Sequence, residues 1–184
     1  MVTRVTAAVF ALLLGLAGAA HAQTMQATLQ AEPGDIPLPL LQSLPYVDID
    51  KGRALILSEG RYFEEGRAVR LLAPMAQGDL DSDGTRDAAV LLEERIGATA
   101  TLYLSAVVQR AGRVRNMASL RLGDGVQAQA LAIVDQQIVV GLLAPRAGDA
   151  PGAPSLPTTL AFRLDGSELL LMRREPGRRT RIAN

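Results

Sequence analysis

The chain of 184 residues has no cysteine, no tryptophan, one histidine and one lysine. Each scarcity removes a class of chemistry. Without Cys, no disulfide can staple the fold, so its stability has to come from its core. The single His is His21 and the single Lys is Lys51. Zinc sites draw on Cys and His, and hydrolytic triads need a His beside their nucleophile. A chain that loses His21 can build neither, and a Ser–Lys centre would have to use Lys51 itself. Aromatic residues make up 3% of the sequence, which leaves Leu, Val, Ile and Ala to fill the core. Neither sign of charge is in excess, with 19 basic against 19 acidic residues. That balance gives no electrostatic reason to expect a nucleic-acid partner. What remains is carboxylate chemistry.

Residues 1–22 have the layout of a secretory signal peptide. Arg4 supplies a positive start, Ala7 to Leu16 is an apolar run too short to span a bilayer, and Ala20-His21-Ala22 is a small-x-small cleavage pattern. Cleavage after Ala22 is expected, so that the mature chain would be periplasmic or secreted and begin at Gln23. No Cys follows the apolar run to carry a lipid, and no later segment is apolar and long enough for a membrane span. Removing Arg4 leaves 18 basic against 19 acidic residues, a formal charge of −1. The roughly 160 residues that remain are enough for one core.

The pattern along those residues is strand, turn, strand. Turn signals recur at Ser58-Glu59-Gly60, Glu64-Glu65-Gly66, Ala111-Gly112, Gly123-Asp124-Gly125, Asp135-Gln136-Gln137 and Asp165-Gly166. This spacing predicts a mainly β fold with some α at the N-terminus: a single antiparallel β-meander domain. The expected division is a flexible lead-in over 23–34, one β-rich domain over 35–172, and a basic disordered tail over 173–184. Asp35 is placed to cap a short helix over Ile36–Ser43, kept brief by Pro37 and Pro39. In Thr101–Gln109, Leu102, Leu104, Ala106 and Val108 share one face, while Thr101, Tyr103, Ser105 and Gln109 share the other. Along 113–122, Ala118, Leu120 and Leu122 are expected inward and Arg113, Arg115 and Arg121 on the outer face. Ala144–Pro157, rich in Pro, Ala and Gly, reads as a mobile loop.

One stretch asks for a specific chemistry: Gly78-Asp79-Leu80-Asp81-Ser82-Asp83-Gly84-Thr85-Arg86-Asp87. Counting from Asp79, carboxylates fall at positions 1, 3, 5 and 9, with Gly at position 6. Calcium takes six to eight oxygen ligands at about 2.3–2.6 Å, and a short loop with alternate side chains turned inward supplies most of them. The expected metal ligands are Asp79, Asp81, Asp83, the carbonyl of Thr85, and Asp87. Gly84 sits where the loop must turn sharply. Position 12 is Val90, not the acid that a helix-loop-helix hand requires, and the flanks Ala68–Leu72 and Ala88–Leu92 read as strands. The arrangement is therefore β-loop-β.

This loop resembles the calcium loop of integrin-α-type FG-GAP repeats, which also run Asp-x-Asp-x-Asp-Gly-x-x-Asp into a strand. More broadly, the chain resembles a set of uncharacterised exported bacterial proteins. The likeness is carried by Gly78–Val90, by Thr101-Leu102-Tyr103-Leu104 and by Leu122-Gly123-Asp124. It implies an exported β domain with one calcium loop, and implies no activity. The chain departs from that pattern at Ile96-Gly97-Ala98-Thr99-Ala100, where a glycine-rich turn is usual, and lacks the late Cys pair.

The leading functional expectation is a non-catalytic exported module whose partner is an unknown protein or envelope polymer. One alternative is a glycan hydrolase using two carboxylates among Glu64, Glu65, Glu93 and Glu94. Another is an envelope-surface protein held by Arg173, Arg174, Arg178, Arg179 and Arg181 in its tail.

Overall fold

The computed structural model describes residues 32–47 and 52–176. The expected signal peptide, most of the lead-in and residues 177–184 lie outside the described residues. The fold is mainly β and antiparallel, with one short helix near its N-terminus. Helix α1 spans Leu38–Leu41. It is followed by β1 (Pro45–Val47), β2 (Ala54–Ile56), β3 (Arg61–Glu64), β4 (Arg67–Gly78), β5 (Asp87–Ile96), β6 (Thr99–Arg110), β7 (Arg113–Asp124), β8 (Gln127–Val134), β9 (Gln137–Ala144), β10 (Leu156–Asp165) and β11 (Glu168–Pro176). Strand order follows chain order, β3-β4-β5-β6-β7 in a five-stranded sheet and β8 to β11 in a four-stranded one, with β1-β2 a separate ribbon. Each strand pairs with its sequence neighbour, which is the meander the turn spacing predicts.

The five-stranded sheet is the middle layer. On one face Leu91, Leu102 and Leu104 pack against Val140 and Phe162 of the four-stranded sheet. On the other, Val90, Leu92, Tyr103 and Val107 pack against Ile36, Leu41, Tyr46 and Leu57 from the N-terminal segment. This two-sided cover explains why β5 carries the unbroken apolar run Ala88–Leu92, since a strand buried on both faces cannot alternate. Each such large side chain contributes about 1.5–3 kcal/mol on burial. The faces of β6 divide as its alternation predicts, but its second face is also covered, and Thr101, Tyr103 and Ser105 are buried.

Several local expectations need correction. Asp35 does not cap α1. The helix starts from Pro37 with no side-chain cap, and the Asp35 carboxylate is drawn instead to the Glu32 N–H and to Arg86. β4 runs on past Leu72 to Gly78, with its register broken between Leu72 and Ala76. Pro74 lies in that break, where its missing N–H forfeits no ladder bond. In β7 the pairs Val107↔Asn116 and Ala106↔Ala118 leave Met117 as an extra residue. Arg115 therefore stands opposite Val108 and Arg121 opposite Tyr103, which are on alternate faces of β6. The three arginines of this strand do not form one outer face, because the bulge reverses the alternation. Ala118, Leu120 and Leu122 do face the core. The Pro- and Gly-rich segment after β9 is tied together by Asp149, which accepts from the Arg146 N–H (2.8 Å), the Ser155 N–H (2.9 Å) and the Ser155 hydroxyl (2.6 Å). Finally, Arg173, Arg174 and Glu175 pair with β10, so the start of the expected disordered tail is strand. Among the described residues no helix is long and apolar enough to cross a membrane.

Candidate metal centre

The acidic loop closes the β4–β5 hairpin, whose last register pair is Gly78↔Asp87. Leu80, 2% exposed, turns into the core and anchors the loop there. The neighbouring carboxylates then organise the backbone. Asp79 accepts from the N–H groups of Ser82 (2.7 Å), Gly84 (3.0 Å) and Asp81 (3.2 Å). Asp83 accepts from the Thr85 N–H at 2.7 Å. Short Asp side chains bond main-chain donors two or three residues on, which is why this composition folds into a turn at all. Gly84 has φ +79° and Ser82 has φ +65°. The first is the glycine position expected from sequence. The second is a non-glycine left-handed residue, held by its bond to Asp79.

Asp87 is completely buried. Its two oxygens accept from the Leu80 N–H and the Gln109 N–H, each at 2.9 Å. Burial pushes its carboxyl above the usual carboxylate range, the two backbone donors oppose that, and the charges of Asp81 and Asp83 add to it. Asp81 pairs with Arg110 of β6 at 2.6 Å. From the other side, Gln77 exchanges two hydrogen bonds with the main chain of Ile36, at 2.6 and 2.9 Å, and Arg86 pairs with Asp35 at 2.5 Å. The N-terminal segment thus braces the loop.

The result is that Asp79, Asp81 and Asp87 each present a carboxylate oxygen, all within 4.8 Å of one another. These three form a cluster able to hold a metal ion. The spacing suits it, since two oxygens on opposite sides of an ion at about 2.4 Å stand about 4.8 Å apart. The donors are all hard oxygens, the set that alkaline-earth ions prefer. Asp83 is not brought into this group. It is exposed at the tip of the loop, with one oxygen engaged by Thr85. Thr85 is half-buried beside it. Arg110 and the Gln109 N–H carry no signal in the motif, because the antiparallel neighbour strand delivers them from more than twenty residues away.

The four glutamates do not assemble in the same manner. Glu93 and Glu94 are consecutive on β5 and so face opposite sides of the sheet. Glu93 bonds Arg70 (2.9 Å) and Arg95 (2.8 Å). Burial raises its carboxyl, but the hydrogen bonds and charges of those two arginines outweigh that and hold it below the ordinary range. Glu94 is buried against Arg67 and accepts from the Tyr103 hydroxyl at 2.9 Å. Glu64 pairs with Arg53 at 3.0 Å. Comparison with family models, with curated proteins and with solved structures returns no match for this chain.

Proposed function

We propose that this protein is an exported, non-catalytic β-rich module in which one calcium ion orders the Asp79–Asp87 loop and the rest of the surface serves recognition. The observation that carries the metal assignment is the convergence of Asp79, Asp81 and Asp87 within 4.8 Å. Asp83 and the Thr85 carbonyl are the further oxygen donors that the sequence pattern offers. Calcium is preferred over magnesium because an irregular, carboxylate-rich loop suits its six to eight flexible oxygen contacts, whereas magnesium demands a near-ideal octahedron and keeps its waters. The ion's chemistry here is neutralisation. It relieves the repulsion among clustered carboxylates, about 1 kcal/mol or more per close pair even in water. The export assignment rests on residues 1–22, and the non-catalytic one on the scarcity of His, Cys and Lys and on the ion-paired state of Glu64, Glu93 and Glu94.

Calorimetric titration of residues 23–184 tests the metal. One calcium site with Kd near about 10⁻⁴ M is expected, as in extracellular modules, with a weaker response to magnesium. Flat heats with both ions would refute it. Export is checked separately by expressing the full chain and sequencing the N-terminus of the fractionated product, which should begin at Gln23.

A further inference from the structure

On the face turned toward the four-stranded sheet, the hydrophobic cover of the five-stranded sheet does not extend to its β3 edge, although Tyr62 and Val69 are packed on the other face. There Arg61, Phe63, Ala68, Arg70, Glu93 and Arg95 line an open concavity of about 370 Å³. The register explains how they meet: Arg61 stands opposite Arg70, Arg70 opposite Glu93, Phe63 opposite Ala68, and Ala68 opposite Arg95. Three arginines thus share a surface with one glutamate. Two like charges facing each other across a ladder destabilise a sheet, so the Arg61–Arg70 pair is not there for stability. Arg70 and Arg95 both bond Glu93 through Nε, and both reach the same oxygen. That contact fixes the two side chains and leaves their terminal Nη donors for something else. Arg61 has no acid within ion-pair distance among the described residues. Phe63, 72% exposed, is the most exposed large apolar side chain in the described structure.

We propose that this concavity binds an acidic polysaccharide, with its carboxylates on Arg61, Arg70 and Arg95 and a sugar ring against Phe63. Guanidinium groups match carboxylates with paired donors, and an exposed aromatic ring offers an apolar platform beside them. A peptide adding as a strand would find the outer backbone groups of Arg61 already bonded to Ser58 at 2.7 and 3.0 Å, which leaves only those of Phe63 on this four-residue strand. A flat lipid surface does not enter a concavity. Nucleic acid is disfavoured because its phosphate backbone calls for an extended run of basic groups, whereas here Glu93 sits among the three arginines.

The test uses residues 23–184 and polygalacturonate, in buffer containing chelator so that the outcome is independent of the calcium loop. Far-UV circular dichroism under the same conditions verifies the fold. Saturable binding that weakens with salt is expected, with no binding to neutral dextran. Arg61→Glu should weaken it about tenfold or more and Phe63→Ala severalfold, while Arg113→Glu, an exposed charge on β7, changes it less than twofold. Equal loss in Arg113→Glu, equal affinity for polyglutamate, single-stranded DNA or anionic vesicles, or no binding by the folded chain would overturn the proposal.

Discussion

The carboxylate of Asp87 accepts the backbone N–H of Leu80 across the acidic loop at 2.9 Å. Its other oxygen takes the Gln109 N–H of β6 at the same distance. One buried side chain therefore joins the loop, the start of β5 and the neighbouring strand. Asp87→Ala leaves both donors without a partner, and each buried orphan costs about 1–3 kcal/mol. A loss of about 2–4 kcal/mol in urea unfolding is expected in chelator, where only the orphaned donors count, and a larger one in calcium, where the ion's contribution is lost as well. Asp87→Asn, which keeps one acceptor, should lose about half as much. A variant within about 0.5 kcal/mol of the parent would show that Asp87 does not hold this junction.

With Kd near 10⁻⁴ M and 10⁻³ M calcium, mass action adds about 1.4 kcal/mol, or about 3–6 °C in melting temperature for a domain of this size. Asp81→Ala should abolish the difference between calcium and chelator. Asp83→Ala, which alters a residue outside the convergent cluster, should keep most of it. Loss of the response in both variants would show that Asp83 also holds the ion, and an unchanged response in both would refute the site.

Gly78, at the mouth of the loop, lies directly against Ile133 of β8. A Cβ built there would lie 2.9 Å from Cγ2 and 3.1 Å from Cβ of Ile133. Those atoms sit at the stiff base of a β-branched side chain and cannot swing aside. Gly78→Ala is expected to cost about 1–3 kcal/mol, and Ile133→Ala combined with it should restore part of that. If the single variant melts with the parent, the two strands are not packed this tightly.

Arg67 and Glu94 form a nearly buried ion pair, with side chains 9% and 4% exposed. Arg67→Ala strands the carboxylate and should cost about 3–5 kcal/mol. Arg67→Met with Glu94→Gln removes both charges and keeps an acceptor for the Tyr103 hydroxyl. It should cost less than half as much, because the desolvation of the pair disappears with it. Additive losses in the two single variants and the double would count against this account.

The sequence alone determined the class of fold and the place of the loop. Turn residues recur between short apolar runs, and hairpin-by-hairpin pairing follows from that spacing because adjacent strands need only local closure. The Asp-x-Asp-x-Asp-Gly-x-x-Asp order was equally legible, since short acids bond nearby backbone donors wherever they occur in that order. The tertiary structure alone decided which acids converge, that Asp35 serves Arg86 and not a helix, and that Met117 turns Arg115 and Arg121 to opposite sides of the sheet. It alone also brought Arg61, Arg70 and Arg95 around Glu93. Each of these depends on contacts between residues far apart in the chain. Strand register and bulges set such contacts, and a one-residue slip reverses every side chain that follows.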